Sequence, residues 1–153
     1  SNEDSDETGI VVVGRDMDNI NAYVFADFSL KDTPTAWAKA VKLAYDQYLA
    51  DRVVAEVNNG GDLVELNIRV IDPNISYESV RASRGKVIRA EPISALYEQN
   101  RVHHVGVFEE LEKQMTEFNP LTDTKSPDRM DAVVWGLTHL FYDQLSIPKV
   151  RDL

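Results

Sequence analysis

Glu56, the acid within VVAEV, is the first residue whose position suggests chemistry. It is the one carboxylate in an apolar, β-branched run, near the C-terminal end of the strand that such a run predicts. Open α/β sheets gather their sites outside the carboxyl ends of their strands. A carboxylate there suits a hard cation such as Mg²⁺ or Mn²⁺. An ordinary acid at a strand exit, turned to solvent, would look the same in sequence. The segment SPDRMDAVVWGL adds Asp128 and Asp131. Three positions apart on a helix, they share one face. Asp128 also falls in the first turn, where free N–H groups and the helix dipole stabilise negative charge. That alone accounts for an acid at this place. The other reading is a paired-carboxylate metal site that reaches Glu56 across a sheet.

The remaining candidates are weaker. SRGK, residues 83–86, offers Arg84 and Lys86 beside a glycine that permits close backbone approach, a combination that suits phosphate contact. It is not GxxxxGK[ST], and neither is NNGGD at 58–62. NNGGD reads as a turn and helix start, with Asn58 beside Glu56 as its one chemical candidate. His103 and His104 are neighbours in a strand-like RVHHVG, so their side chains point to opposite faces and make a poor pair for one metal. His139, between Leu137 and Phe141, reads as a packing residue, and Trp37 and Trp135 as core anchors. The chain has no cysteine, so it has no thiolate nucleophile, thiolate metal site or disulfide. No serine stands in an activating pattern.

These residues need elements to hold them. IVVV at 10–13 and AYVFADF at 22–28, separated by a polar turn, predict a hairpin. Thr33 and Pro34 predict a helix start, and Trp37, Val41, Ala44, Tyr45 and Tyr48 recur at helical spacing as far as about residue 50. RVVAEV, residues 52–57, predicts a strand covered on both faces. A helix follows from 61 or 62 to Asp72 and Pro73. Its apolar side is expected to combine Leu63, Leu66 and Val70 with Val64, Ile68 and Ile71. SYESVR at 76–81 is the next strand, then a helix over 86–99, a short strand at RVHHVG, and a helix over 108–118. The last helix opens at Ser126 and Pro127 and packs through Met130, Val134, Leu137 and Phe141. Strands alternating with helices predict an α/β domain with a mixed sheet.

A chain of 153 residues that is 43% hydrophobic suits one globular domain. Residues 1–8 read as an acidic N-terminal tail, 9–145 as the domain and 146–153 as a C-terminal tail. The net charge is -10, from 16 basic and 26 acidic residues. Such a surface repels duplex DNA at long range. That argues against a strong autonomous DNA-binding module, but not against a nuclease whose cations offset its carboxylates. No apolar run approaches membrane-spanning length, and the N-terminus lacks a signal pattern, so no membrane partner is expected.

Six segments together carry a resemblance: TGIVVVG, YVFAD, DRVVAEVNNGGD, ASRGKVIRAEPISALYEQNRVHHVG, FEELEKQM and SPDRMDAVVWGL. In this order, over nearly all of 8–140, they resemble the C-terminal nuclease domain of phage and prophage terminase large subunits. The resemblance implies an RNase H-like fold, a mixed sheet flanked by helices. It implies a two-metal site for Mg²⁺ or Mn²⁺ and hydrolysis of DNA phosphodiesters to cut concatemers during packaging. Glu56 matches the family's acid on the fourth strand. Asp128 matches its C-terminal helical acid, with Asp131 beside it, and Arg84 and Lys86 fall where DNA phosphates would lie. The implied partners are double-stranded DNA, a terminase ATPase domain, the small terminase subunit and the portal. The implied location is the cytoplasm of the infected or lysogenic bacterial host.

The sequence departs from the family pattern at the front. The family's first strand ends in an Asp ahead of a polar turn, and this sequence opens inside that turn, where Asp4 and Asp6 lie. The fold is therefore expected to lack its first strand and first acid, and the chain to cut DNA weakly or not at all. Two alternatives stand beside this reading. One is another RNase H-like nuclease such as a resolvase, against which the acidic charge counts. The other is a non-catalytic assembly module of the packaging motor.

Overall fold

The computed structural model describes residues 7–57, 62–82, 86–123 and 127–142. It opens on the expected hairpin, β1 (Val11–Arg15) and β2 (Ala22–Asp27), paired antiparallel from Val11 with Asp27 to Arg15 with Ala22. The Asp16 carboxylate closes the turn by accepting from the Ile20 and Asn21 N–H groups at 2.9 and 3.1 Å. Helix α1 (Pro34–Gln47) starts as predicted: Thr33 Oγ1 accepts from the Ala36 N–H at 3.2 Å, with proline next in line. The chain continues through β3 (Val53–Glu56), α2 (Asp62–Ile71), β4 (Tyr77–Val80), α3 (Lys86–Glu98), β5 (Val102–His104), α4 (Glu109–Glu117) and α5 (Asp128–Phe141).

The pairing mixes directions, as expected, and helices flank it. β2 pairs antiparallel with β1 and parallel with β5, and β3 pairs parallel with β4. Among the described residues, however, the strands form two ladders, β1-β2-β5 and β3-β4, instead of one. Helix α5 joins them, packing against β1 and β2 of one ladder and β3 of the other.

Two apolar clusters form the core. In the larger, Ala22 and Val24 of β2 and Val102 of β5 meet Ile93, Leu96, Leu111, Val133, Val134 and Leu137 from α3, α4 and α5. Each fully buried Val or Leu side chain there contributes roughly 1.5–3 kcal/mol. Helix α5 supplies three of these residues and so dominates the helical side of that cluster. The smaller cluster gathers Ala38, Ile68 and Ile75, with Trp37, Val41, Tyr45, Val53, Val64, Ile71 and Tyr77 against them. Helix α2 departs from the expected pattern in one respect. Val64, Ile68 and Ile71 face this cluster, whereas Leu63, Leu66 and Val70 stand exposed. Two apolar stripes run along this helix, and the β3-β4 ladder with α1 covers one of them. No helix among the described residues is long and apolar enough to cross a membrane.

Candidate active site

The N-terminus of α5 is the best-defined part of the site. Gly9, just before β1, lies against the backbone carbonyl of Asp128, and Val13 lies against Gly136. Four strand residues span roughly 13 Å and eight helical residues about 12 Å. Strand β1 and helix α5 therefore run side by side in the same direction. Because β2 is antiparallel to β1, its last residue, Asp27, comes back to the start of α5. There Arg129 Nη1 donates to Asp27 Oδ2 at 2.6 Å, and Arg129 Nε and Nη2 reach the Glu7 carboxylate at 3.3 Å. Asp27 is nearly buried, with its side chain 8% exposed. Burial works against the Arg129 charge, but the Asp27 hydrogen bond and charge, followed by those of Glu7, outweigh it and raise the Arg129 pKa.

Asp128 and Asp131 open α5 as expected, in its first turn. Pro127 at the cap supplies no side-chain oxygen. Gln114 of α4 takes that place, its Oε1 accepting from the Arg129 and Met130 N–H groups at 3.0 and 3.2 Å. Its Nε2 donates to Glu7 Oε1 at 2.7 Å. Glu7 and Thr8, in the segment read from sequence as a tail, are thereby tied to the body: Thr8 also exchanges backbone bonds with Leu30.

Glu56 ends β3 and is exposed. Alternation along the ladder shows which way it faces. Val53, paired with Tyr77, belongs to the cluster under α1 and α2. Val54 pairs with Glu78, whose Oε2 lies 3.9 Å from Nδ1 of His139 on α5. Glu56 shares the face of Val54 and Glu78, which is the α5 side.

His103 and His104 diverge as the strand reading requires. His103 Nε2 pairs with Asn21 Oδ1 at 3.1 Å, while His104 lies between Tyr97 and Glu112, 2.8 Å from each. His139 and Trp135 are buried, as packing residues are. Arg84 and Asn58 lie outside the described residues, as do residues 1–6 and 143–153 with the C-terminal tail; Lys86 opens α3. Sequence reasoning missed Glu7, Asp27, Gln114 and Arg129. Nothing local marks them as a group, because the bonds that join them span 15 to 122 positions.

As for a metal, the carboxylate donors are of the right chemical kind for a hard cation. Among the described residues, no group of three or more His, Cys, Asp or Glu is arranged to hold one. The site thus offers acids on α5 and on the α5 side of β3, but not a ready three-ligand cage. Comparison with known proteins gives one family match, to a family described as Terminase RNaseH-like domain, over residues 1–140. No curated protein matches the chain.

Proposed function

The chain belongs to the family of terminase RNaseH-like domains, and from that premise we propose that it is the divalent-metal-dependent DNA endonuclease domain of a viral packaging terminase. What supports this reading, beside the family, is strand alternation: it puts Glu56 on the same face of β3 as Val54, whose ladder partner Glu78 reaches His139 of α5, the helix that Asp128 and Asp131 open at its other end. In this reading Glu56 and Asp128, with Asp131 beside them, are the carboxylates that hold Mg²⁺ or Mn²⁺. A bound metal pair would activate water and neutralise charge on the phosphate. Arg84 and Lys86 would steady the DNA backbone, which carries no sequence information, so little base preference follows. The net charge of -10 opposes encounter with DNA, so the chain alone should be a slow nuclease. A terminase ATPase domain, the small subunit and the portal are the partners this reading supplies, in the cytoplasm of a bacterial host.

The two ladders beneath one helix also support a finer reading of the fold, in which a further strand completes the sheet between β1 and β3. A second functional reading, a non-catalytic assembly module of the motor, draws on the exposed Leu63, Leu66 and Val70 of α2. Nicking of supercoiled plasmid in Mn²⁺, over a titration of protein, separates the two. The nuclease reading expects slow, metal-dependent nicking that Glu56→Ala and Asp128→Asn each abolish while the metal-free melting temperature changes little. Nicking that survives both substitutions would remove these residues from the chemistry. No nicking at any protein concentration, together with a melting temperature that Mn²⁺ leaves unchanged, would favour the assembly module.

A further inference from the structure

We propose that Arg89, stacked on Trp135, is a contact for a phosphate of the DNA backbone. The inference rests on the reading of DNA as the substrate and involves no metal. Asp128, Asp131, Trp135 and His139 recur every three or four residues and so lie along one face of α5. His139 marks where that face meets the β3-β4 ladder, with Glu78 Oε2 3.9 Å from its Nδ1. Trp135 stands between His139 and the two acids, about one turn from His139 and from Asp131. Arg89 of α3 covers its ring, with Cζ 4.7 Å from the ring centroid.

Two observations point to an anion here. The first is Trp135 itself. It is 9% exposed, and its Nε1 is buried with no hydrogen-bond partner among the described residues. Buried polar groups are nearly always satisfied, so an exception calls for a reason. An indole N–H can only donate, so the group that satisfies it is an acceptor. The cation covering the same ring favours a negatively charged one. The second observation is the start of α3. Its first turn holds no acid, and Arg89 is its fourth residue. A helix N-terminus opposes cations and attracts anions. An arginine at this place works against helix stability and with phosphate binding. Stacking also suits the role, because an aromatic face holds the plane of a guanidinium and its planar fork of donors matches a phosphate. A DNA phosphodiester and free phosphate share this chemistry. The acids read as the cutting site, on the same face of α5, favour the phosphodiester.

Anisotropy of a short fluorescein-labelled duplex in EDTA, over a series of salt concentrations, measures binding without cleavage. Arg89→Met keeps a stem over the indole and removes the charge. Trp135→Phe keeps an aromatic ring and removes the N–H. Arg101→Met removes the same charge from the guanidinium stacked on Phe141 at 5.4 Å and controls for net charge. Arg89→Met should bind DNA about tenfold more weakly, with a salt slope smaller by about 1. Trp135→Phe should bind less tightly at the parent's slope, because the donor it loses is neutral. Arg101→Met should keep the parent's slope. Parent affinity in Arg89→Met or in folded Trp135→Phe, an equal loss of slope in Arg101→Met, or a parent that binds no duplex would each overturn the proposal. If Trp135→Phe does not fold, Arg89→Met decides alone. Inorganic phosphate that displaces the duplex at matched phosphate concentration would assign the site to the free ion and overturn it as a DNA contact. The nuclease reading is decided separately, by plasmid nicking, so the two can fail independently.

Discussion

At the scale of single residues, the sequence exposed the acids but not their surroundings. Glu56, Asp128 and Asp131 stand out because an acid in an apolar run, or two at the start of an apolar helix, breaks a local pattern. Arg129 and Gln114 break none; they read as ordinary polar residues on helices until folding brings Asp27 and Glu7 to them. The same holds for the row formed by Tyr97, His104 and Glu112. His104 Nδ1 lies 2.8 Å from Glu112 Oε2, and its Nε2 lies 2.8 Å from the Tyr97 hydroxyl. With His104 neutral, Nδ1–H donates to the carboxylate and Nε2 accepts from the phenol. Burial, and then the Glu112 charge, push the Tyr97 hydroxyl well above its ordinary range. The His104 hydrogen bond holds Glu112 below the usual carboxylate range against the opposing effect of burial, with a lesser contribution from the Phe108 N–H. A carboxylate whose folded pKa is depressed contributes stability above its unfolded pKa and loses it as pH falls through the folded one. Glu112 is partly exposed, so solvent screens the effect and keeps it modest. Glu112→Gln should therefore lower stability near neutral pH and flatten the acid limb of the stability curve. Urea midpoints across the carboxylate range measure this. An acid limb as steep as the parent's would show that Glu112 does not carry it.

At the scale of elements, most of the fold was legible because the periodicities are clean and the punctuation is strong. Thr33 and Pro34 start α1, and Asp72 and Pro73 end α2, where the sequence places them. Helix α2 shows the limit. Periodicity marks apolar stripes but does not say which one a neighbour will cover, and here Val64, Ile68 and Ile71 are covered while Leu63, Leu66 and Val70 are not. The first glycine of TGIVVVG gains a reason from the packing. A Cβ on Gly9 would fall on the Asp128 carbonyl and within 3.2 Å of the Arg129 nitrogen, both backbone atoms that no side-chain rotation can clear. Overpacking of this kind costs about 1–3 kcal/mol, so Gly9→Ala should be destabilised by that amount in chemical denaturation. A variant as stable as its parent would mean that β1 slides freely along α5.

Strand pairing was less legible, since alternation along a strand does not name its neighbours. In β3 the Val53 N–H donates to Ser76 and the Val57 N–H to Val80, at 2.8 and 2.9 Å. The bonds to β4 therefore fall on alternate residues, and the Val54 N–H points to the other edge. If that edge awaits a strand, the Val54 amide should exchange hydrogen much faster than the Val53 amide. Equal protection at the two would mean that the outer edge of β3 is already satisfied.

At the scale of the whole molecule, two facts pull in different directions. The family match over residues 1–140 brings the chain among terminase RNaseH-like domains, whereas its net charge of -10 turns it away from free DNA. On the proposed reading, cations held by Glu56 and Asp128 would reconcile them locally, because a bound divalent ion is the largest charge in its neighbourhood and reverses the sign of the field there. The account therefore stands on one claim: Glu56 and Asp128 share a cation. Anomalous scattering from crystals soaked in Mn²⁺ tests it most directly. The account predicts a peak at the start of α5 with carboxylate oxygens of both Glu56 and Asp128 within about 2.0–2.6 Å, absent from crystals of Glu56→Ala. A peak bound by only one of the two, or Mn²⁺ seated elsewhere with this edge empty, would contradict it.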